Sequence, residues 1–336
     1  MAANEATVEL AGRQLTISSP NKVFFSRRGE TKLDLIDFYL ALEEPLMRMM
    51  ANRPTLMQRF PDGASGKSFY QKRVPKGAPE WLRTTVMSTP NGTTSNALVA
   101  DDIAHLAWAV NLGCLGFHPW PIRADDPGAT DELRIDLDPS PGVDFDDIRA
   151  AARNVRELLD ELALRSFAKT TGSRGLHVFV RLEPRWDSYD VRLAAVALAR
   201  ELERRHPDRL TAAWWKEERG ERVFIDFNQN APHKTVFGTW SVRSRVGAQV
   251  STPIAWDELD DVEPDHLTMP EVVARVERDG DPWADMFASP PCSLEPLLAM
   301  HQRDREAGLG DAPWPPVYPK MPHEPSRVAP SRARKG

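Results

Sequence analysis

The sequence predicts an α+β fold: a ferredoxin-like sheet with an α/β lobe packed on it. Three observations carry this. The middle third alternates strand-like runs with two long amphipathic segments, in the order β-α-β-β-α-β with one additional strand before the last. The first third mixes helical periodicity with irregular stretches. The last stretch turns proline-rich, with seven prolines between Pro313 and Pro330, and ends in SRARKG. Residues 1–125 are therefore read as an N-terminal lobe, 126–290 as the core, and 291–336 as a basic, Pro-rich arm whose composition buries little.

Taken in order, a helix is expected from about Leu33 to Met50, starting at Thr31 or Lys32. Ile103, Leu106, Ala107 and Val110 fall at i, i+3, i+4 and i+7, with Asp101 or Asp102 as N-cap and Gly113 past the end. ELRIDLD (132–138) alternates as a strand. Residues 145–164 form an amphipathic helix. SFAKTT (166–171) and LHVFVRL (176–182) are strands joined through Gly172, Ser173, Arg174 and Gly175. Residues 187–206 form a second helix, and LTAAWW (210–215) and ERVFIDFN (221–228) close the series. In a ferredoxin-like order the first and last strands are neighbours.

The composition narrows the function classes. The chain has 336 residues, 41% hydrophobic and 27% charged, enough for a real core. A net charge of −6 excludes a wholly basic nucleic-acid binder but leaves room for a local basic groove. Such a bias exists: Arg53, Arg59, Lys67, Lys72, Arg73, Lys76 and Arg83 face only Asp62 and Glu80 over residues 52–83. Six of the nine residues 257–265 are acidic and are read as solvated. The longest apolar run, Leu193 to Ala199, is too short for a membrane span, and MAANEATVEL does not read as a secretory signal. Cys114 and Cys292 form no CxxC, so they are expected as buried thiols in a reducing cytoplasm.

Three features carry chemistry. Asp136 and Asp138 are two apart on a strand and share a face. Asp226, in VFIDFN on the neighbouring last strand, would bring a third carboxylate. Such a cluster is a site for hard divalent cations, and two ions suit phosphoryl or nucleotidyl transfer. The competing reading of DLD is a strand ending at a solvated turn. TTGSRGLH places Thr171, Gly172, Ser173, Arg174 and His177 around a tight hairpin able to face an anion; an ordinary glycine turn beside a packed histidine is the other reading. Arg243 and Arg245 are expected on one strand face, suited to triphosphate oxygens or simply solvated. GASGKS (63–68) lacks the first glycine of a P-loop, since residue 61 is proline, and is read as a loop.

DLDP (136–139), TTGSRGLHV (170–178), and FIDFNQN with TWSVR (224–243) resemble the three motifs of the polymerase domain of bacterial ligase D, a member of the archaeo-eukaryotic primase superfamily. SPNKVFF (19–25), QRFPDG (58–63), FYQKRVPKGAPEWL (69–82) and GFHPWPIR (116–123) are similar to that family as well. The resemblance spans roughly residues 15–290 and implies a sheet of the primase-polymerase type, related to the RRM. It also implies a template-directed nucleotidyltransferase that prefers ribonucleotides over dNTPs and works at gaps or breaks with a recessed 5′-phosphate. By the same resemblance, two Mn²⁺ or Mg²⁺ ions are held by Asp136, Asp138 and Asp226, and the NTP by Thr171, Gly172, Ser173, Arg174, His177 and Arg243. Lys22 and Lys32 match the 5′-phosphate pocket, and Arg59, Phe69 and Tyr70 match the template surface. Trp240 stands where the family more often shows tyrosine. The partners implied are DNA, an ATP-dependent ligase and Ku, with no membrane, in a bacterial cytoplasm at the nucleoid.

Two other classes compete. A metal-dependent nuclease or phosphodiesterase would use the same carboxylates without a triphosphate grip. A noncatalytic binding module on an RRM-like sheet would carry aromatics on its central strands, where Asp136 and Asp138 stand instead.

Overall fold

A computed structural model describes residues 4–88, 92–245 and 247–315. The proline-rich run beyond residue 315 lies outside the described residues.

The chain opens with a hairpin, β1 (Glu5–Leu10) and β2 (Arg13–Ser18), and a short ribbon, β3 (Val23–Phe25) and β4 (Glu30–Thr31). Thr31 then caps α1 (Lys32–Ala41), exchanging hydrogen bonds with Asp34 in a capping box. The single helix expected up to Met50 breaks at Leu42, and α2 (Glu43–Met50) follows. Pro45 explains the break: it has no N–H for a carbonyl of the preceding turn, so the helix restarts.

A five-stranded sheet comes next, from β5 (Arg53–Arg59), β6 (Phe69–Gln71), β7 (Thr84–Ser88), β8 (Thr94–Ala100) and β9 (Cys114–Pro119). Helix α3 (Ile103–Asn111) is capped by Asp102, whose carboxylate accepts from the Ala104 N–H at 3.0 Å. Cys114 is fully buried and Cys292 half-buried, and both are free thiols.

The central sheet is built from β10 (Ile122–Arg123), β11 (Asp126–Pro139), β12 (Ser166–Thr170), β13 (Leu176–Trp186), β14 (Leu210–Thr211), β15 (Val223–Ile225) and β16 (Pro253–Ile254). Its order is β14-β15-β11-β13-β12-β16, with β10 also on β11. The inner four strands have the ferredoxin-like order, and the additional strand β14 runs parallel to β15. Leu133, Ile135, Leu137, Val178 and Val180 face α4 (Phe145–Glu161) and α5 (Ser188–Arg205) in the main core. The alternate residues, Glu132, Arg134, Asp136, His177 and Phe179, line the other face. There Phe167 and Phe179 pack with Met49, Val236, Trp283 and Met286.

Two further stretches differ from expectation. The composition of the segment from 291 points to an arm, yet α7 (Glu295–Glu306), which follows α6 (Met269–Asp279), packs along α5 and buries Leu297 and Met300. Its apolar positions precede the prolines that dominated the composition. The acidic run 257–265 is not merely solvated: Glu258 pairs with Arg275, Asp260 with Arg153, and Glu263 with Arg149 at 2.7 Å. Among the described residues no helix is long and apolar enough to cross a membrane.

The lobe and the central sheet meet at buried charge. Arg53, only 1% exposed, donates to both oxygens of Asp131 at 2.7 and 2.9 Å and to Glu132 at 2.6 Å. The other oxygen of Glu132 accepts from Arg134 Nε at 2.8 Å. Burial alone would raise the Asp131 carboxyl, but Arg53 and Arg123 outweigh it and hold it below the usual range. Replacing Glu132 with glutamine leaves two buried guanidinium groups short of a carboxylate. Urea unfolding should show a loss of about 3–5 kcal/mol; a loss below 1 kcal/mol would deny the cluster this role.

Candidate active site

Strand β11 carries Asp136 and Asp138 on one face, as the period of two requires. It pairs with β15 through Leu137↔Ile225 and Asp138↔Phe224. Asp226 lies one residue beyond that strand rather than on it: Asp226 caps a 3₁₀ turn, Phe227–Asn230, and its backbone N–H donates to the Asp136 carbonyl at 3.0 Å. Its carboxylate accepts from the Asn228 N–H at 3.0 Å and from Gln229 Nε2 at 2.9 Å.

Burial, with Asp136 acting on the other two, makes the three acids costly to ionise. Burial, then Asp136, pushes Asp226 up to about 6. Burial pushes Asp136 up to about 6, partly offset by Arg243 and Lys169. Asp138 is raised by burial and then by Asp136, against the nearby Arg219. A divalent cation would relieve this, and an all-oxygen donor set suits a hard ion, so these residues fit Mg²⁺ or Mn²⁺. They do not stand as a closed cage: among the described residues no three His, Cys, Asp or Glu are gathered at metal-holding spacing.

The hairpin between β12 and β13 sits beside them. Thr171 closes it, donating its N–H to the Gly175 carbonyl at 3.0 Å and accepting from the Gly175 N–H at its hydroxyl, 3.3 Å away. Gly172 has φ +67°, and a Cβ there would meet Arg243 Cγ at 2.7 Å. Ser173 is half-buried and Arg174 exposed at the tip. Arg243 Nε donates to the Thr171 carbonyl at 2.7 Å, and its guanidinium stacks over Phe237 at 4.0 Å. Burial lowers it to about 10. The shared strand face expected for Arg243 and Arg245 is absent. Residues 243–245 turn, with the Arg245 N–H on the Arg243 carbonyl, and Arg245 points to solvent.

His177 faces Asp136 across the β11–β13 pair, with Nε2 3.3 Å from Oδ1. Burial, then Lys169 and Arg243, holds it well below its ordinary value, so it is neutral. Its Nδ1 is buried without a partner.

Several residues at this site were not foreseen. Lys169 is fully buried opposite His177 on β12, donating to Ser251 Oγ at 2.5 Å and to the Phe237 carbonyl at 3.1 Å. The signal was a lysine inside an apolar strand run. His118 is edge-on to both Tyr70 and Phe237, and burial lowers it to about 3. Gln229, Asn228 and Arg219 surround the acids, and nothing in their spacing marks them.

The remaining expected residues lie on the lobe. Lys22 Nζ bonds the Pro61 carbonyl at 2.6 Å and Asp62 at 3.0 Å. Lys32 is buried, bonds the Ser18 and Asn111 carbonyls, and is lowered by burial and then by Lys22, which places the two ammonium groups near each other. Phe69 and Tyr70 are 47% and 56% exposed on β6, so they are not core aromatics. Arg59 lies under Phe69, at 5.2 Å from the ring.

The model of the LigD primase-polymerase domain family matches residues 31–283. The multifunctional non-homologous end joining DNA repair protein LigD of Mycobacterium tuberculosis H37Rv is 32% identical over 315 residues, covering 91% of this chain and 41% of that protein. The bifunctional non-homologous end joining protein LigD of Bacillus subtilis is 28% identical over 297 residues, covering 88% and 47%. The chain thus spans less than half the length of these relatives. The solved polymerase domain of Mycobacterium tuberculosis ligase D, in complex with DNA, superposes with a TM-score of 0.78 at 31% identity, covering 82% of this chain and 99% of that one.

The Gly172–Arg243 contact yields a direct test. Gly172→Ala meets both a left-handed backbone and the arginine stem, so it should cost about 1–3 kcal/mol in urea unfolding. Gly77→Ala, with open space around it, should stay within about 0.5 kcal/mol.

Proposed function

The chain belongs to the LigD primase-polymerase domain family, and on that premise we propose that it adds nucleotides, ribonucleotides in preference, to 3′ ends at gaps or breaks in DNA. One observation carries the reading: the β11–β15 register sets Asp226 against Asp136, and the hairpin clasped by Arg243 lies beside them. A carboxylate cluster next to a guanidinium and a glycine turn is the arrangement a metal-bound triphosphate needs. A nuclease would need no such triphosphate grip. For a binding-only sheet, the phenylalanines on this face, Phe167 and Phe179, are buried against Trp283.

In this reading Asp136, Asp138 and Asp226 hold two Mn²⁺ or Mg²⁺ ions, which would activate the 3′-hydroxyl and neutralise the leaving pyrophosphate. Arg243, Ser173, Arg174 and the turn amide at Gly172 grip the triphosphate, and Thr171 closes the turn behind them. Neutral His177 orients Asp136 or donates to a phosphate oxygen. Phe69, Tyr70 and Arg59 offer stacking faces and charge to the template. Lys22 and Lys32 take the downstream 5′-phosphate. The relatives' names support a task in end joining; an ATP-dependent ligase and Ku are the partners proposed with it.

Two measurements test this. Asp136→Asn should cut incorporation of labelled NTP at a gapped duplex by at least about a hundredfold. Metal-free at pH 8, its melting temperature should hold or rise. Asp136 binds its proton more tightly folded than unfolded, so the ionised carboxylate costs stability above about pH 6. Retained incorporation would remove Asp136 from the chemistry.

The second concerns substrate choice. A gap bearing a 5′-phosphate should bind about five- to a hundredfold tighter than its 5′-hydroxyl counterpart, the span of 1–3 kcal/mol in charge-assisted bonds, and the preference should shrink with salt. Lys22→Ala should reduce it without loss of stability. Lys32→Ala should reduce it and also destabilise, since two carbonyls lose their donor. An enzyme indifferent to the phosphate would leave extension without end recognition.

A further inference from the structure

Helix α5 buries an arginine on its inner face. Arg192 is 0% exposed, and its Nε donates to Asn228 Oδ1 at 2.8 Å. The rest of the guanidinium is taken up by the segment after α7. Its Nη2 donates to the carbonyls of Ala312 at 2.9 Å and Pro313 at 3.2 Å, and its Nη1 meets Asp311 at 3.2 Å. The Trp314 ring lies 3.8 Å from Cζ, and Trp314 Nε1 donates back to Asp311 at 2.8 Å. The segment is anchored at its entry, where Arg200 donates to the Gly310 carbonyl at 2.5 Å.

Asn228 joins this assembly to the acids. Its side chain is held from both ends, accepting from Arg192 and donating from Nδ2 to the Pro313 carbonyl at 3.0 Å. Its backbone N–H donates to Asp226 Oδ1 at 3.0 Å. Asn228 is 1% exposed and Trp314 5%. The path from Trp314 to Asp226 is therefore a run of short contacts through buried groups: ring on guanidinium, guanidinium on amide, amide backbone on carboxylate.

We infer that residues 311–314 form a strap that positions the Asp226 carboxylate through Arg192 and Asn228. Trp314, Arg192 and Asn228 are then positioning residues for the site. The inference rests on the reading of Asp226 as a metal ligand. Groups behind a ligand set its direction, and their loss typically weakens metal affinity about 10–100-fold. Without the Trp314 ring and the Pro313 contact, Asn228 loses its tether and the 3₁₀ turn that Asp226 caps gains freedom.

The experiment uses the full chain and Mn²⁺ alone, titrated by electron paramagnetic resonance without DNA or nucleotide, with melting temperatures measured in parallel. Trp314→Ala and Asn228→Ala should each bind Mn²⁺ about tenfold more weakly. Trp314→Phe, which keeps a ring over the guanidinium, should stay near the unaltered chain. Met300→Ala removes core packing from α7 without touching the strap, so it should lower the melting temperature and leave Mn²⁺ affinity unchanged. Unchanged affinity in Trp314→Ala and Asn228→Ala, or an equal loss in Met300→Ala, would overturn the strap and reduce the segment to packing. An unaltered chain that binds no Mn²⁺ would instead overturn the metal reading of Asp226, and the inference with it.

Discussion

The arrangement depends on one buried carboxylate, Glu132, held between Arg53 and Arg134. Arg53 begins strand β5 of the lobe and also donates to the Met49 carbonyl at the end of α2. Glu132 and Arg134 lie on β11, and Arg134 Nη1 reaches the Pro119 carbonyl at the end of β9 at 2.9 Å. A buried ion cluster is no better than well-packed apolar residues as a source of stability, but it is far less tolerant of a shifted register. Here it ties three elements of the lobe to the strand that carries Asp136 and Asp138. The same strand is gripped from its other side. Asn230 accepts from the Arg134 N–H at 2.9 Å and donates to the Arg134 carbonyl at 2.7 Å. The turn that begins at Asp226 is thus locked to the residue two positions before Asp136.

That rigidity lets an unfavourable collection of charge persist. Asp136 and Asp226 are half-buried in the same place, and two cations, Lys169 and Arg243, answer mainly Asp136. Lys169 is itself lowered by burial and by Arg243, with Asp136 pulling the other way. Neither sign is satisfied by the protein alone, which is the electrostatic condition for a site that takes in a metal cation together with a polyanion.

The order of the central sheet was legible because each of its main strands and helices has a clean period, and the order alone made Asp136 and Asp226 neighbours. The hairpin around Gly172 was legible for the same reason: glycines between two apolar runs leave few alternatives. The break at Leu42 was misread because amphipathic spacing outweighed a proline near the start of a helix. Asp226 was placed on its strand because VFIDFN alternates well, whereas the side chain caps the next turn. In the C-terminal segment the prolines dominate the composition and mask Leu297, Met300 and Trp314, which are buried. Lys169, Asn228 and His118 matter through partners distant in sequence, and no local pattern announces such partners.

The stretch from Phe227 to Thr252 shows what holds a site built on irregular chain. Its described residues have almost no regular structure, and His233, Trp240 and Ala248 adopt left-handed φ values of 65°, 63° and 51°. Each such residue costs about 1–3 kcal/mol, so the surroundings must hold the stretch in place. They do so through β12 and β9. The Thr170 N–H donates to the Thr252 carbonyl at 2.9 Å, and the Gly238 N–H donates to the Phe117 carbonyl at 2.8 Å. The Trp240 N–H donates to the Ser251 carbonyl at 2.8 Å, while the Ser251 hydroxyl donates to the Thr170 carbonyl at 2.9 Å and accepts from Lys169. Trp240 is completely buried, and its indole N–H has no hydrogen-bond partner there among the described residues. Lys169 therefore does two things with one charge. It pins the irregular stretch that presents Arg243, and it lowers the cost of ionising Asp136. The Arg243 side and the carboxylate side of the site are coupled through Lys169, which bonds the first and offsets charge on the second.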